Sequence, residues 1–228
     1  MIGIMCLINK KILSIFIFLC LMSSCSAIPP EIGGKWRAAY DGMINYYQGY
    51  PDYPITPQMI EKIPYASLRM KIGDGPAGLL ILQEINNDIF TWVSADNAIF
   101  SIRNGRIIET YGLANNLTNL TISSADEKFN YEILDKKEFV RILSLSNPVV
   151  NSLKIKVNKK ILGKEEINIL GKQYKTLLIE ETISNEYINW NYKNYFWIDM
   201  NTGFVWKSTQ QIAPNVPPIQ IEILKKPT

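Results

Sequence analysis

Ala98-Ile99-Phe100-Ser101-Ile102-Arg103-Asn104-Gly105-Arg106-Ile107-Ile108-Glu109-Thr110 is the stretch whose reading decides the fold. Two β-favouring runs flank Asn-Gly, a pair that tolerates the positive φ of a type I′ turn, so the stretch reads as a two-residue hairpin with its register set by the turn. Similar short runs precede it at 67–72, 78–84 and 90–94, punctuated by Gly73-Asp74-Gly75-Pro76, Asn86-Asn87-Asp88 and Asp96-Asn97. That is a meander of hairpins. Further runs follow at 129–134, 139–145, 153–157, 166–170, 174–182, 187–199, 203–210 and 219–224. Leu153-Lys154-Ile155-Lys156-Val157 alternates apolar with charged residues, which predicts an antiparallel sheet with one face in water. Asn201-Thr202-Gly203 joins two more runs as a second hairpin signature. The polar interval 112–128 separates two strand clusters and leaves open a two-lobed sheet.

Upstream, Trp36, Tyr40, Met43, Ile44 and Tyr47 share the spacing of one helical face, stopped by Gly49 and Pro51. One amphipathic helix is expected at 36–48, its aromatic stripe packing on the sheet. Residues 50–57 read as an extended, Pro-rich connector. The expected fold is therefore all-β and mainly antiparallel: a curved sheet or incomplete barrel with one N-terminal helix. A single β-rich domain at 36–228 fits this pattern.

The N-terminus has its own logic. Lys10 and Lys11 precede an apolar run at 12–22, then Ser23-Ser24-Cys25-Ser26-Ala27, the order of an export signal. The run is shorter than the roughly 20 apolar residues a spanning helix needs. Leu21-Met22-Ser23-Ser24-Cys25 looks like a lipobox, with Cys25 lipidated and residues 1–24 removed as a lipoprotein signal peptide. Cys25-Ser26-Ala27 is the competing site for an ordinary signal peptidase. Residues 25–35 are then a short tether, and Ser26 rather than Asp after the cysteine favours the outer membrane under enteric-type sorting.

Composition narrows the chemistry. The chain has 24 Lys and Arg against 21 Asp and Glu, so nothing draws it strongly to nucleic acid. Histidine is absent, and of three cysteines Cys6 and Cys20 leave with the signal while Cys25 is consumed by lipid. Ser-His-Asp and Cys-His catalysis and the usual zinc ligand sets are thereby excluded, and no metal or cofactor is implied. Carboxylates remain. Glu165, Glu166, Glu180, Glu181, Asp96, Asp126 and Asp199 could supply a glycosidase pair, although charges solvated on the wet face of the sheet are the ordinary explanation of such residues. Gly73-Asp74-Gly75-Pro76-Ala77-Gly78 lacks the Lys-Ser/Thr of a phosphate loop and reads as a tight turn. Trp92, Trp190, Trp197 and Trp206 could stack on sugar rings or fill the core.

Pro64-Tyr65-Ala66-Ser67-Leu68, Gly78-Leu79-Leu80-Ile81-Leu82, Trp92-Val93-Ser94-Ala95-Asp96, Asn104-Gly105-Arg106 with the residues to Leu113, and Tyr195-Phe196-Trp197-Ile198-Asp199 with Thr202-Gly203, Lys207-Ser208 and Gln210 resemble the YjbF/GfcB family of group 4 capsule lipoproteins. The resemblance spans nearly the whole mature chain. It implies a non-enzymatic accessory in capsule or exopolysaccharide assembly or export, anchored in the cell envelope and facing the periplasm. A surface polysaccharide, an outer-membrane export protein, or both would be its partners. The family brings no catalytic residues to transfer. From the residues themselves, Trp92, Asp96 and Arg106 lie near successive hairpin turns and could form one binding trio, or could be core and turn residues. Two further functions compete: a carrier sheltering an acyl or lipid-linked ligand in a concave sheet, and a carboxylate glycosidase.

Overall fold

The alternation of apolar residues becomes, in a computed structural model of the chain, one continuous antiparallel sheet. The structure describes residues 52, 54–127 and 138–227. The chain divides into two compact units, residues 1–49 and 50–228, and the first lies outside the described residues. Cys25, the tether, the expected helix at 36–48 and the run at 129–134 therefore lie outside them too.

Among the described residues the elements begin with a short helix, α1 (Pro57–Lys62). Five strands follow in hairpin succession: β1 (Ser67–Ile72), β2 (Gly78–Asn86), β3 (Ile89–Ser94), β4 (Ile99–Arg103) and β5 (Arg106–Tyr111). After β6 (Leu117–Thr121) and the single turn α2 (Ser124–Glu127) come β7 (Glu138–Ser146), β8 (Val149–Ile169) and β9 (Lys172–Asn185). The last three are β10 (Trp190–Asp199), β11 (Val205–Gln210) and β12 (Ile219–Lys225). Their order in the sheet is β5-β4-β3-β2-β1-β12-β11-β10-β9-β8-β7-β6.

That order answers the two-lobed possibility. β12 returns to pair with β1, Met70 opposite Ile221, so the two strand clusters share one sheet. Its two end strands also meet, Leu117 N donating to Thr110 Oγ1 at 2.9 Å, with Asn116 bonding Leu113 through both side-chain atoms. The sheet is a nearly closed barrel.

Each strand turns one phase inward. Leu68, Trp92, Phe100, Leu143, Val157, Ile183 and Ile221 are buried together in the interior. A second cluster, Leu177, Ile179, Phe196, Ile198 and Val205, continues it between β9, β10 and β11. The Asn104-Gly105 turn has both residues at positive φ, 48° and 76°, as a type I′ turn requires.

Several expectations need correction. Residues 153–157 and 166–170, read as two strands, belong to the single 21-residue β8. Gly163, at φ 144°, sits where the β8–β9 register shifts between Ile161 and Gly163, so the bulge absorbs the irregularity and the ladder continues. The interval 112–128 holds a strand, β6, rather than a polar link. Pro57 opens α1 instead of ending a connector: the Thr56 side chain accepts from Met59 N and Pro57 occupies the first turn.

Candidate functional site

The most unusual site in the described chain is inside the barrel, where five charged side chains meet. Arg141 on β7 donates from Nε to Asp126 Oδ2 at 2.6 Å and from Nη1 to Glu181 Oε2 at 2.9 Å. Arg106, at the start of β5, donates from Nε to Glu181 Oε1 at 3.1 Å. Lys159 on β8 bonds Asp126 Oδ1 at 2.7 Å, and its ammonium lies 4.9 Å above the Phe139 ring. None of these five side chains is more than 3% exposed, which makes this an interior network and not a surface patch.

Burial pushes the Glu181 carboxyl up, but Arg106 and Arg141 outweigh it and hold the group well below the usual carboxylate range. Asp126 is lowered in the same way, burial being outweighed by Arg141 and Lys159. Both stay ionised, and the guanidinium groups do not deprotonate in proteins. Burial and the neighbouring Arg106 depress the Lys159 ammonium. The cluster is thus a charge lattice with its geometry fixed by bidentate donors, and neither carboxyl carries a proton to give.

Beside it, Gln210 on β11 reaches the β4–β5 hairpin. Its Oε1 accepts from Ile107 N at 3.1 Å and its Nε2 donates to Gly105 O at 2.8 Å. The remaining space here, lined by Arg106, Arg141, Asn194, Gln210 and aliphatic neighbours, is about 30 Å³. That is room for about one water molecule and no more.

The carboxylates weighed for glycoside chemistry separate. Glu180 and Glu181 point to opposite sides of β9, as adjacent strand residues must. Glu180 Oε2 accepts from Lys193 Nζ and Tyr195 Oη on the outer wall. Glu181 and Asp126 are interior, which corrects their placement on the wet face. Asp199 caps the β10–β11 turn, accepting from Asn201 N, Thr202 N and Trp206 Nε1.

The three residues singled out for binding occupy three environments. Trp92 is 1% exposed in the core, and its Nε1 is buried without a hydrogen-bond partner among the described residues. Asp96 is exposed in the β3–β4 turn, where the Ser94 hydroxyl bonds it and depresses its pKa. It borders a surface groove of about 520 Å³ lined also by Leu79, Ile81 and Val93. Arg106 belongs to the interior network. The structure does not bring the trio to one surface.

Of the four tryptophans considered, Trp190 joins Trp92 in the core, whereas Trp197 and Trp206 are half-buried. Trp197 Nε1 donates to Glu165 Oε2 at 3.0 Å, and Lys207 Nζ lies 5.0 Å from its ring centre. Trp206 packs on Tyr174 with ring centres 4.1 Å apart and meets Phe204 edge-on.

The sequence pattern that defines YjbF, the group 4 capsule polysaccharide lipoproteins that include GfcB, matches residues 41–224. The chain belongs to this family. Two YjbF-family relatives come from Escherichia coli strain K12: lipoprotein GfcB is 28% identical over 176 residues, 76% of this chain and 82% of GfcB. Lipoprotein YjbF is 22% identical over 215 residues, 92% of this chain and 95% of YjbF. The crystal structure of the lipoprotein YmcC from the same strain superposes with a TM-score of 0.69 at 26% identity, covering 76% of this chain and 90% of that one. The YjbF match encloses the interior network and the Trp197 wall alike.

The interior network was not recognised from the sequence, yet most of it carries a signal. Phe139, Arg141, Leu143 and Leu145 share one phase of β7; Ile155, Val157 and Lys159 share one of β8; Ile179, Glu181 and Ile183 share one of β9. A charge in the apolar phase of a strand has to be paired inside. Asp126 lies in a short turn and offers no such clue.

Proposed function

We propose that the chain is a cell-envelope lipoprotein, anchored through lipidated Cys25 in the outer membrane and facing the periplasm, that assists assembly or export of a surface polysaccharide by binding rather than by turnover. The observation that carries this reading is membership, over residues 41–224, of a family described as group 4 capsule polysaccharide lipoproteins. The lipobox-like residues ending at Cys25 agree with it, as does the absence of histidine.

The competing readings have less support. A glycosidase needs a protonated carboxyl beside an ionised one, whereas Glu181 and Asp126 share Arg141 and are both held ionised. A carrier needs an apolar cavity of ligand size. The interior space lined by Arg106 and Arg141 has mostly apolar neighbours but measures only about 30 Å³, too small for an acyl chain, and the larger groove along Leu79, Ile81 and Val93 lies on the outer surface.

A tethered accessory depends on its anchor, because confinement raises effective concentration at a partner toward the millimolar range. In a deletion strain, the full lipoprotein should restore surface polysaccharide and the same chain secreted without lipid should not. Equal rescue by a trace of the unlipidated form would overturn the proposal.

A further inference from the structure

The outer wall of the barrel carries a row of side chains crossing six strands. Leu178 on β9 pairs with Trp197 on β10, Trp197 with Lys207 on β11, and Lys207 with Glu222 on β12. Glu222 pairs with Arg69 on β1, and Arg69 with Leu79 on β2. Residues paired directly across neighbouring strands share a face, so all six project from the same side of the sheet. Each is half-buried or exposed, while the neighbours Ile198, Ser208, Ile221 and Leu68 are buried on the opposite side. Five inter-strand steps of about 4.8 Å give the row a length of about 24 Å.

We infer that this row is a saccharide-binding track that holds an extended segment of polysaccharide across the strands, with Trp197 as its stacking platform. The inference rests on the binding role proposed above and names the surface for it. Its chemistry suits a sugar chain: Leu178, Trp197 and Leu79 offer apolar faces for the C–H side of a pyranose ring, and Lys207, Glu222 and Arg69 between them offer donors and an acceptor for its hydroxyls. Trp197 supplies the face. Its N–H is already committed to the exposed Glu165 carboxylate, which orients the ring. Lys207 covers the ring through a flexible stem, so it can yield the face to a sugar and keep its ammonium for a ring oxygen or carboxylate.

Two depressions are lined by the side chains that contact the platform, Lys207 in one and Glu165 in the other. One, of about 180 Å³, lies along Lys207, Glu222, Arg69 and Lys71; the other, of about 290 Å³, lies along Glu165, Lys164 and Lys175. Arg69 and Glu222 are joined at 3.0 Å, and Asp52 meets Lys71 at 3.5 Å, so the floor of the first is a set of oriented polar groups. An extended row in which one aromatic face adjoins a run of charged groups suits a chain of sugars better than a compact ligand.

The test uses the full lipoprotein in detergent micelles, titrated with size-fractionated oligosaccharides prepared from the surface polysaccharide of cells that carry the gene. Tryptophan fluorescence and calorimetry read the affinity. Wild type should bind saturably, and Trp197→Ala should weaken binding by at least about tenfold, one base-stacking-sized contact by the usual scale of aromatic stacking. Trp197→Phe should retain most of the affinity. Tyr111→Ala removes an aromatic residue that is 68% exposed and off the row, and it should bind as wild type does. Unchanged urea midpoints for the variants separate lost contact from lost fold.

Equal affinity of Trp197→Ala and wild type would overturn the track while leaving saccharide binding intact. Absence of binding by wild type would also overturn it, and if tether-dependent rescue persisted the accessory role would stand through a protein partner. Both results are distinct from failure of the complementation experiment itself.

Discussion

At the scale of single residues, Glu181 is the decisive side chain, because two guanidinium groups are organised around it with almost no access to water. Replacing it by Gln leaves Arg106 and Arg141 facing an amide that can accept but cannot neutralise. Breaking a buried pair in this way costs about 3–5 kcal/mol, so Glu181→Gln should lower the urea midpoint sharply. The acid limb gives a second readout. A carboxyl with a folded-state pKa below its ordinary 4.5 contributes stability that is complete above that value and is lost as pH falls toward the folded pKa. Wild type should therefore lose stability steadily below about pH 4.5, and Glu181→Gln should show a flatter acid limb from a lower starting point. A variant as stable as wild type at neutral pH would mean that the network is not a structural lattice. The phase of the alternation made Glu181, Arg141 and Lys159 legible in principle, since each falls where an apolar residue belongs. Their partners were not, because pairing across β7, β8 and β9 depends on register and on a turn, α2, that local sequence leaves unspecified.

At the scale of elements, the hairpins were legible and the joins between them were not. Asn104-Gly105 announced its turn because only residues tolerant of positive φ fit there, and the strands on either side follow within a residue. β6 carries little strand signal, because Thr118 and Asn119 are exposed and only Leu117 and Leu120 are apolar. In the sequence β8 looks like two strands, because Asn158, Lys159 and Lys160 interrupt the apolar pattern, although Lys159 points inward to the ion network. Nor did the sequence reveal that the β4–β5 turn is packed against β11. A Cβ on Gly105 would lie 2.5 Å from the Cβ of Val205, whereas one on Gly203, at nearly the same positive φ, would meet nothing within 4 Å. Gly203→Ala should pay only the left-handed backbone cost of about 1–2 kcal/mol. Gly105→Ala should pay that and an overpacking cost of about 1–3 kcal/mol, read as the difference between the two urea midpoints. Equal losses would show that the hairpin is free to move away from β11.

At the scale of the whole molecule, the pieces form a nearly closed barrel with its charged side chains divided between two roles. Inside, Arg106, Arg141, Lys159, Asp126 and Glu181 are matched to one another and fill space that a carrier would leave open. Outside, Trp197, Lys207, Glu222 and Arg69 form a polar and aromatic row against solvent. All-β architecture could be read from composition and turns, but barrel closure could not, because it depends on β12 returning to β1 and on Thr110 and Asn116 joining β5 to β6. Trp92, Asp96 and Arg106 lie close to turns in sequence, yet burial distributes them over core, surface and interior network. The proposal that unites these features is action by association. It is tested most directly by following the molar mass of the purified surface polysaccharide with light scattering during incubation with substoichiometric full lipoprotein. The account predicts a polymer mass that stays constant over time; a progressive fall, with fragments accumulating in excess of the protein, would contradict it.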